Sequence, residues 1–86
     1  MKQYKVILSD KVQKRIKSVP NDYLVKIHKS LSSLSLNPRP FGCVKLAGSE
    51  NHYRIRVGVY RVVYSIEDDI LVVQVIKIDH RSNVYR

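Results

Sequence analysis

Cysteine and long apolar runs are scarce in this chain, and their scarcity excludes several kinds of protein. Cys43 is the single cysteine among 86 residues, so the chain can form neither an internal disulfide nor a zinc site with several thiolates. The apolar run at residues 6–8 is too short for a signal peptide, and no run approaches the length that spans a membrane. We therefore expect a cytoplasmic protein without a membrane partner, whose one thiol is buried or half-buried.

The usual signatures of cofactor and metal sites are also missing. The sequence has no P-loop and no glycine pattern of a dinucleotide-binding fold, and nothing in it marks a nucleophile elbow. His28, His52 and His80 are not spaced as metal ligands, and no carboxylate lies three or four residues from any of them. We therefore expect neither a metal nor a cofactor.

Acidic residues are few, with seven Asp and Glu against sixteen Lys and Arg, and the formal net charge is +9. Three of the seven, Glu67, Asp68 and Asp69, are consecutive, so the rest of the surface is more strongly basic still. A charge of this size favours a polyanionic partner, such as nucleic acid, an anionic membrane or an acidic protein. The length and a hydrophobic content of 44% fit one folded domain over residues 1–86.

Hydrophobic spacing predicts an α+β domain in which two helices pack on one face of a mostly antiparallel sheet, in the order β-α-α-β-β-β-β. Asp10, with Gln13 three residues later, predicts a capping-box variant at the start of the first helix. The run at 70–78 is apolar at both alternating sets of positions, which predicts a strand in the middle of the sheet with both faces at least partly covered. The other predicted elements are strands at 3–9 and 44–46, a helix at 22–36, a hairpin at 52–66 and a tight turn at 67–69.

The hairpin carries the most unusual feature of the chain, which is its arginines. Period-two alternation places Arg54 and Arg56 on one side of the first hairpin strand, and Arg61 lies on the second strand after Gly58. Strands hold side chains at fixed spacing, so these guanidinium groups predict a rigid basic surface suited to phosphate. Strand arginines can also be solvated edge residues or ion-pair partners. Arg61 is flanked by Val59 and Val63 on its own side of the strand, and this apolar setting favours a functional role for Arg61 over that of a solvated edge residue.

A second set of candidate residues follows the last predicted strand. His80, Arg81 and Tyr85 come at its end, and they converge with the hairpin arginines if that strand lies beside the hairpin. A histidine in this position is more often a surface residue, but its neighbours make it a candidate for chemistry.

Several short patterns together resemble one known family. The chain resembles the RelE branch of the RelE/ParE toxin superfamily over nearly its whole length. This implies a type II toxin, a small nuclease that enters the ribosomal A site, cuts mRNA and is held inactive by an acidic, RelB-like antitoxin, with operator DNA bound only through the antitoxin complex. The patterns are Lys45-Leu46-x-Gly48, Tyr53-Arg54-Ile55-Arg56, Tyr60-Arg61-Val62-Val63-Tyr64 and His80-Arg81 followed by Val84-Tyr85.

The resemblance also implies which residues act. Its catalytic pattern falls on Arg54, Arg56, Arg61, Arg81 and Tyr85, and the RNA 2′-hydroxyl serves as the nucleophile, so no protein nucleophile is required. Arg61 and Arg81 suit the stabilisation of charge on the phosphate, and Tyr85 could stack on or orient a base. We expect Lys45, Arg54 and Arg56 to bind RNA.

The general base is the least defined part of this pattern. Some members of the family have lysines where this chain has Arg54 and Arg56, and arginine cannot be deprotonated in a protein. The base must then be His80, Tyr85, Lys45 or a group on the ribosome, and histidine is best matched to neutral pH. We therefore expect His80 to act as the base.

Two other functions remain open at this point. The ParE branch shares the fold and inhibits DNA gyrase without cutting RNA, and a non-catalytic RNA-binding domain would carry the same charge. The arginines of the hairpin and the tyrosine near the C-terminus favour the RelE branch.

Overall fold

The computed structural model describes residues 3–80, and in this range two helices pack against a five-stranded sheet. The elements are β1 (Lys5–Leu8), α1 (Asp10–Ile16), α2 (Asn21–Leu36), β2 (Val44–Lys45), β3 (His52–Val57), β4 (Tyr60–Glu67) and β5 (Val72–His80). The strand order across the sheet is β1-β5-β4-β3-β2, with β1 parallel to β5 and every other neighbouring pair antiparallel. The predicted class and the predicted order of elements are confirmed.

The start of α1 differs from the prediction by one residue. The side chain of Ser9 accepts a hydrogen bond from the backbone N–H of Val12 at 3.2 Å, which makes Ser9 the N-cap. Asp10 is the first helical residue, where its carboxylate lies near the positive end of the helix dipole. The prediction that Asp10 caps the helix was therefore wrong, because Ser9 is the residue with the extended backbone that an N-cap needs.

The core lies between the helices and one face of the sheet. Tyr60 and Tyr64 alternate with half-buried residues along β4, as the period-two pattern predicted. Cys43 is half-buried against this core, also as predicted. No helix within residues 3–80 is long and apolar enough to cross a membrane. The buried apolar residues are Val12, Val19, Ile27, Leu31, Leu34, Ile55, Val57, Tyr60, Val62, Tyr64, Ile66, Val73, Val75 and Ile78.

A β-bulge explains why β5 is apolar at both alternating sets of positions. Tyr64 pairs with Val75 while Val63 pairs with Lys77, so Ile76 is an extra residue in β5. The bulge moves the buried positions from odd-numbered to even-numbered residues. The strand is interior, between β1 and β4, as predicted. Among residues 3–80 the helices cover one of its faces, and on the other face Gln74 and Lys77 are exposed while Val72 and Asp79 are half-buried.

The hairpin turns at Gly58, and the turn touches α2. Gly58 has a φ of 61° at the first central position of a two-residue turn, which is the glycine position of a type II′ turn. A Cβ atom at Gly58 would lie 2.6 Å from Cε1 of Tyr23. The glycine is therefore required both by the backbone and by the close approach of the Tyr23 ring.

Candidate nucleic-acid interface

The sheet face away from the helices, termed the open face, carries the hairpin arginines. Arg54 and Arg56 alternate with the buried Ile55 and Val57, so their side chains leave the sheet on the side away from the core. Arg61 pairs directly with Arg56, and residues paired across strands project to the same side. The structure thus brings Arg54, Arg56 and Arg61 together on the open face.

These arginines are held by the strands rather than spread in solvent. Arg54 and Arg61 are half-buried, and the Nε atom of each is buried, whereas Arg56 is exposed. Like charges directly opposite each other in a sheet repel, so the Arg56–Arg61 pair favours an anion bound between the two groups. Preorganised guanidinium groups of this kind can hold a phosphate and stabilise charge that develops on it.

Asp79 is a carboxylate on the open face that the sequence interpretation missed. It is the cross-strand partner of Arg61 on β5, so both side chains project to the same side of the sheet. Its Oδ2 atom lies 3.1 Å from Nζ of Lys77, which is two residues earlier and therefore on the same face. The only sequence signal was the Lys77-x-Asp79 spacing at strand period. Asp79 gives the arginine cluster a group that can accept a proton.

His80 lies on the other side of the sheet from these arginines. It pairs with the buried Tyr60, and the two rings meet edge to face with centroids 5.4 Å apart. Tyr60 also meets the ring of Tyr23, with centroids 5.3 Å apart. His80 is thus at the same end of the sheet as Arg61 but on the helix side, because alternation along β5 assigns the open-face position to Asp79.

The remaining sequence-predicted residues lie apart from the hairpin arginines or outside the described range. Lys45 is exposed on the edge strand β2 and pairs with Tyr53, so its side chain starts on the face opposite Arg54 and Arg56. Arg81 and Tyr85 lie outside the residues that the structure describes.

The segment between α2 and β2 is tied to the sheet at two points. The buried hydroxyl of Tyr64 donates a hydrogen bond to the carbonyl of Pro38 at 2.7 Å. Burial is the main cause that raises the pKa of Tyr64, so the phenol stays protonated. Arg39 lies over the ring of Tyr53 at 5.3 Å and forms an ion pair with Asp68 at 2.9 Å. Both contacts fix the path of the chain from 37 to 43.

Asp68 connects this segment to the first strand. The Tyr4 hydroxyl donates a hydrogen bond to Oδ1 of Asp68 at 2.6 Å, while Arg39 bonds both oxygens of the same carboxylate. The hydrogen bond to Asp68 is the main cause that raises the pKa of Tyr4, and the one donated by Arg39 is the main cause that raises the pKa of the guanidinium. Asp68, in the turn before β5, therefore links Tyr4, next to β1, with Arg39, in the segment between α2 and β2.

A depression of about 410 Å³ opens beside the arginines at the β2 edge of the sheet. Phe41 is fully exposed at its rim. Sequence reasoning treated Phe41 only as part of a loop, since a single aromatic residue among prolines carries no periodic signal. The depression is lined by Phe41, Gly42, Val44, Arg54, Ile55 and Arg56.

Comparison with known proteins identifies relatives along the whole described chain. Residues 6–85 match the family model of the ParE toxin of the type II toxin–antitoxin system parDE. Toxin RelE3 of Methanocaldococcus jannaschii is 31% identical over 85 residues, which cover 94% of each chain. The RelE–RelB complex of Pyrococcus horikoshii OT3 contains a chain with 29% identity and a TM-score of 0.85, covering 95% of this chain and 99% of that chain. The intact RelBE complex of E. coli gives 25% identity and a TM-score of 0.80, covering 90% of this chain and 95% of that chain.

The fold, the basic open face and these matches define a toxin of a type II toxin–antitoxin system. The chain belongs to the RelE/ParE toxin superfamily and, within it, to the RelE branch, as the sequence patterns predicted.

Proposed function

We propose that this protein is a ribosome-dependent endoribonuclease that enters the ribosomal A site and cuts mRNA. The observation that carries the proposal is the direct pairing of Arg56 with Arg61, beside Arg54, on an exposed sheet face. A cluster of fixed guanidinium groups on one exposed sheet face is suited to binding a phosphate group and stabilising the negative charge that develops on it. Because ribosomes are the proposed target, the proposal also places the protein in the cytoplasm.

In the proposed reaction, the 2′-oxygen of one nucleotide attacks the adjacent phosphorus, and the bond from that phosphorus to the 5′-oxygen of the next nucleotide breaks. The products are a 2′,3′-cyclic phosphate and a free 5′-hydroxyl. The RNA supplies its own nucleophile, so the protein must position the phosphate, stabilise its added negative charge, remove one proton and return one to the leaving oxygen. Arg61 and Arg81 stabilise the charge on the phosphate, Arg54 and Arg56 bind the RNA backbone, and Tyr85 orients a base. Lys45 starts on the opposite face of the sheet and does not share this binding surface.

Two of the described residues near Arg61 are candidates for the proton acceptor, beside Tyr85, Lys45 and a group on the ribosome. His80 has the side chain best suited to proton transfer near neutral pH, but its ring packs against Tyr60 on the helix side. Asp79 shares the open face with Arg61. The arginines themselves cannot accept a proton.

An acidic antitoxin is the proposed partner that holds the toxin inactive. RelE chains with this fold occur in complexes with RelB in both P. horikoshii and E. coli. A net charge of +9 favours a partner of opposite charge, and operator DNA would then be bound only through the toxin–antitoxin complex. Binding should weaken as salt rises, because salt screens the attraction between exposed charges of opposite sign.

Induced expression tests the proposal against its rival. We expect translation to stop and mRNA to be cut within coding regions, while free RNA is cut poorly. The ParE description of the matching family model favours gyrase inhibition as the second candidate. Intact mRNA together with gyrase-linked DNA breaks would replace the nuclease proposal with that one, and RNA binding without either outcome would indicate a non-catalytic domain.

A further inference from the structure

We infer that the depression beside Phe41 is a subsite for an unpaired nucleobase, which stacks on the Phe41 ring while the adjoining phosphates lie at Arg54 and Arg56. The inference rests on the proposed function, since it names the part of the RNA that this side of the open face would hold. It adds a residue that neither the sequence patterns nor the catalytic assignments include.

The first observation is the combination of groups at the depression. Single exposed apolar residues are common on protein surfaces, so the exposure of Phe41 alone does not mark a site. Two of the exposed apolar residues, Phe41 and Val44, line the same depression as Arg54 and Arg56, and of these two only Phe41 carries an aromatic ring. An aromatic ring next to a cationic track is the arrangement with which proteins bind single-stranded nucleic acid, because bases stack on the ring and phosphates pair with the cations.

The second observation is that the backbone carrying the ring is fixed by a turn before any ligand binds. The backbone N–H of Cys43 donates to the carbonyl of Pro40 at 3.1 Å, and Gly42 has a φ of 90°. These are the features of a type II turn with Phe41 at its first corner, which directs the side chain outward. Tyr64 bonds to the carbonyl of Pro38, and Arg39 pairs with Asp68, so the residues before Phe41 are already fixed. The backbone of this segment therefore loses little conformational freedom when a ligand binds.

The size and charge of the depression indicate which kind of ligand it binds. About 410 Å³ falls within the range of small-molecule sites, which is large enough for one base with its sugar. Among residues 3–80, two guanidinium groups and no carboxylate line it, so a ligand that carries phosphates is favoured over a neutral one. Stacking requires an open π-face, and therefore an unpaired base rather than a double helix.

The direct test measures RNA binding by variants of Phe41. The probe is a short single-stranded oligoribonucleotide in which every 2′-hydroxyl is methylated, so that it binds but has no nucleophile and is not cut. We expect Phe41→Ala and Phe41→Leu to weaken binding by roughly 5- to 100-fold and Phe41→Trp to retain it, because only the ring stacks. Val25→Ala is the matched control, since Val25 is an exposed apolar residue on α2, remote from the arginines, and it should leave the affinity unchanged.

Phe41→Trp supplies a second readout. The chain contains no tryptophan, so the new indole is the only one, and its fluorescence should be quenched when a base stacks on it. Unchanged fluorescence at saturating RNA would overturn the inference. So would wild-type RNA affinity in Phe41→Ala together with weakened antitoxin binding, because the depression would then serve a protein partner.

The subsite and the nuclease proposal can fail separately. If the wild-type protein cuts mRNA on programmed ribosomes and Phe41→Ala binds and cuts RNA equally well, the subsite is refuted and the nuclease stands. If the wild-type protein cuts no mRNA but Phe41→Ala still loses affinity for the oligonucleotide, the subsite stands and the nuclease proposal is refuted.

Discussion

Arg56 and Arg61 are directly opposed on β3 and β4, with both side chains on the open face of the sheet. Opposed like charges oppose folding, and this pair lies in a hairpin whose other face buries Val57 and Tyr60. Burial on one face therefore stabilises a charge arrangement on the other that would be unfavourable in isolation. Stability and function are expected to respond in opposite directions when the pair is broken.

Arg56→Thr should raise the free energy of unfolding by about 0.2–1 kcal/mol, because it removes the repulsion and threonine favours strands. The same change should lower mRNA cleavage. The measurement is urea unfolding at low and at high salt, and the gain should shrink as salt screens the charges. Lys45→Thr is the control, since Lys45 faces Tyr53 rather than another cation. Destabilisation by Arg56→Thr at low salt would show that the pair is already compensated in the free protein.

Asp79 and His80 can be separated as proton acceptors by conservative variants. We expect Asp79→Asn to slow the single-turnover cleavage rate more than His80→Gln, because only Asp79 shares a face with Arg61. Asp79→Asn removes a negative charge and can therefore tighten RNA binding. The rates are measured at saturating toxin, where a change in affinity does not alter them. A larger effect of His80→Gln would support the histidine that the sequence indicated and would require the chain around His80 to rearrange on the ribosome.

The alternation of the hairpin made the arginine face predictable, because side-chain direction along a strand is a local property. The placement of Asp79 and His80 was not predictable, since it depends on the bulge at Ile76, and a bulge is set by pairing with β4 rather than by the sequence of β5 alone. Phe41 was missed for a related reason. Its exposure comes from a turn and from ties to distant residues, none of which leaves a periodic pattern.

Tyr64 should make the protein sensitive to alkali. Burial raises its pKa above the ordinary value near 10, so the unfolded chain loses this proton at a lower pH than the folded protein does. The stabilisation is complete below about pH 10 and is lost as pH rises through the folded-state pKa. Tyr64→Phe should flatten this alkaline decline while costing about 1–3 kcal/mol at neutral pH through the buried Pro38 carbonyl that loses its donor.

Denaturant unfolding at neutral and alkaline pH measures both effects of Tyr64→Phe. The alkaline decline should be reduced rather than abolished, because the pKa of Tyr4 is also raised, by its hydrogen bond to Asp68. Tyr4→Phe and the double variant separate the two contributions. An alkaline slope in the double variant equal to that of the wild-type protein would contradict the account.

Gly58→Ala should destabilise the protein by more than a change of backbone conformation alone. A positive φ costs a non-glycine residue about 1–2 kcal/mol, and here the new Cβ would also meet the Tyr23 ring at 2.6 Å. Gly48→Ala is the matched control, because Gly48 has a φ of 81° and no atom of residues 3–80 lies within 4 Å of the added Cβ. Thermal unfolding should show a larger loss for Gly58→Ala, and Tyr23→Ala should reduce that excess. Equal losses for the two glycine variants would show that the Tyr23 ring moves aside freely.

In the proposed reaction, fixed arginines stabilise charge on a phosphate while RNA is cleaved, and substitution of Arg61 removes one of them. The measurement is single-turnover cleavage of mRNA on programmed ribosomes. Arg61→Ala should lower the rate by roughly 10²–10³-fold, as expected for the loss of one preorganised donor, while the fold and antitoxin binding are retained. Arg81→Ala should lower the cleavage rate by a similar factor. Arg81→Lys should give an intermediate rate, because lysine keeps the charge without the planar fork of the guanidinium group. Lys14→Ala should change the rate little. Wild-type rates for Arg61→Ala and Arg81→Ala, with the fold intact, would show that the site lies on another surface.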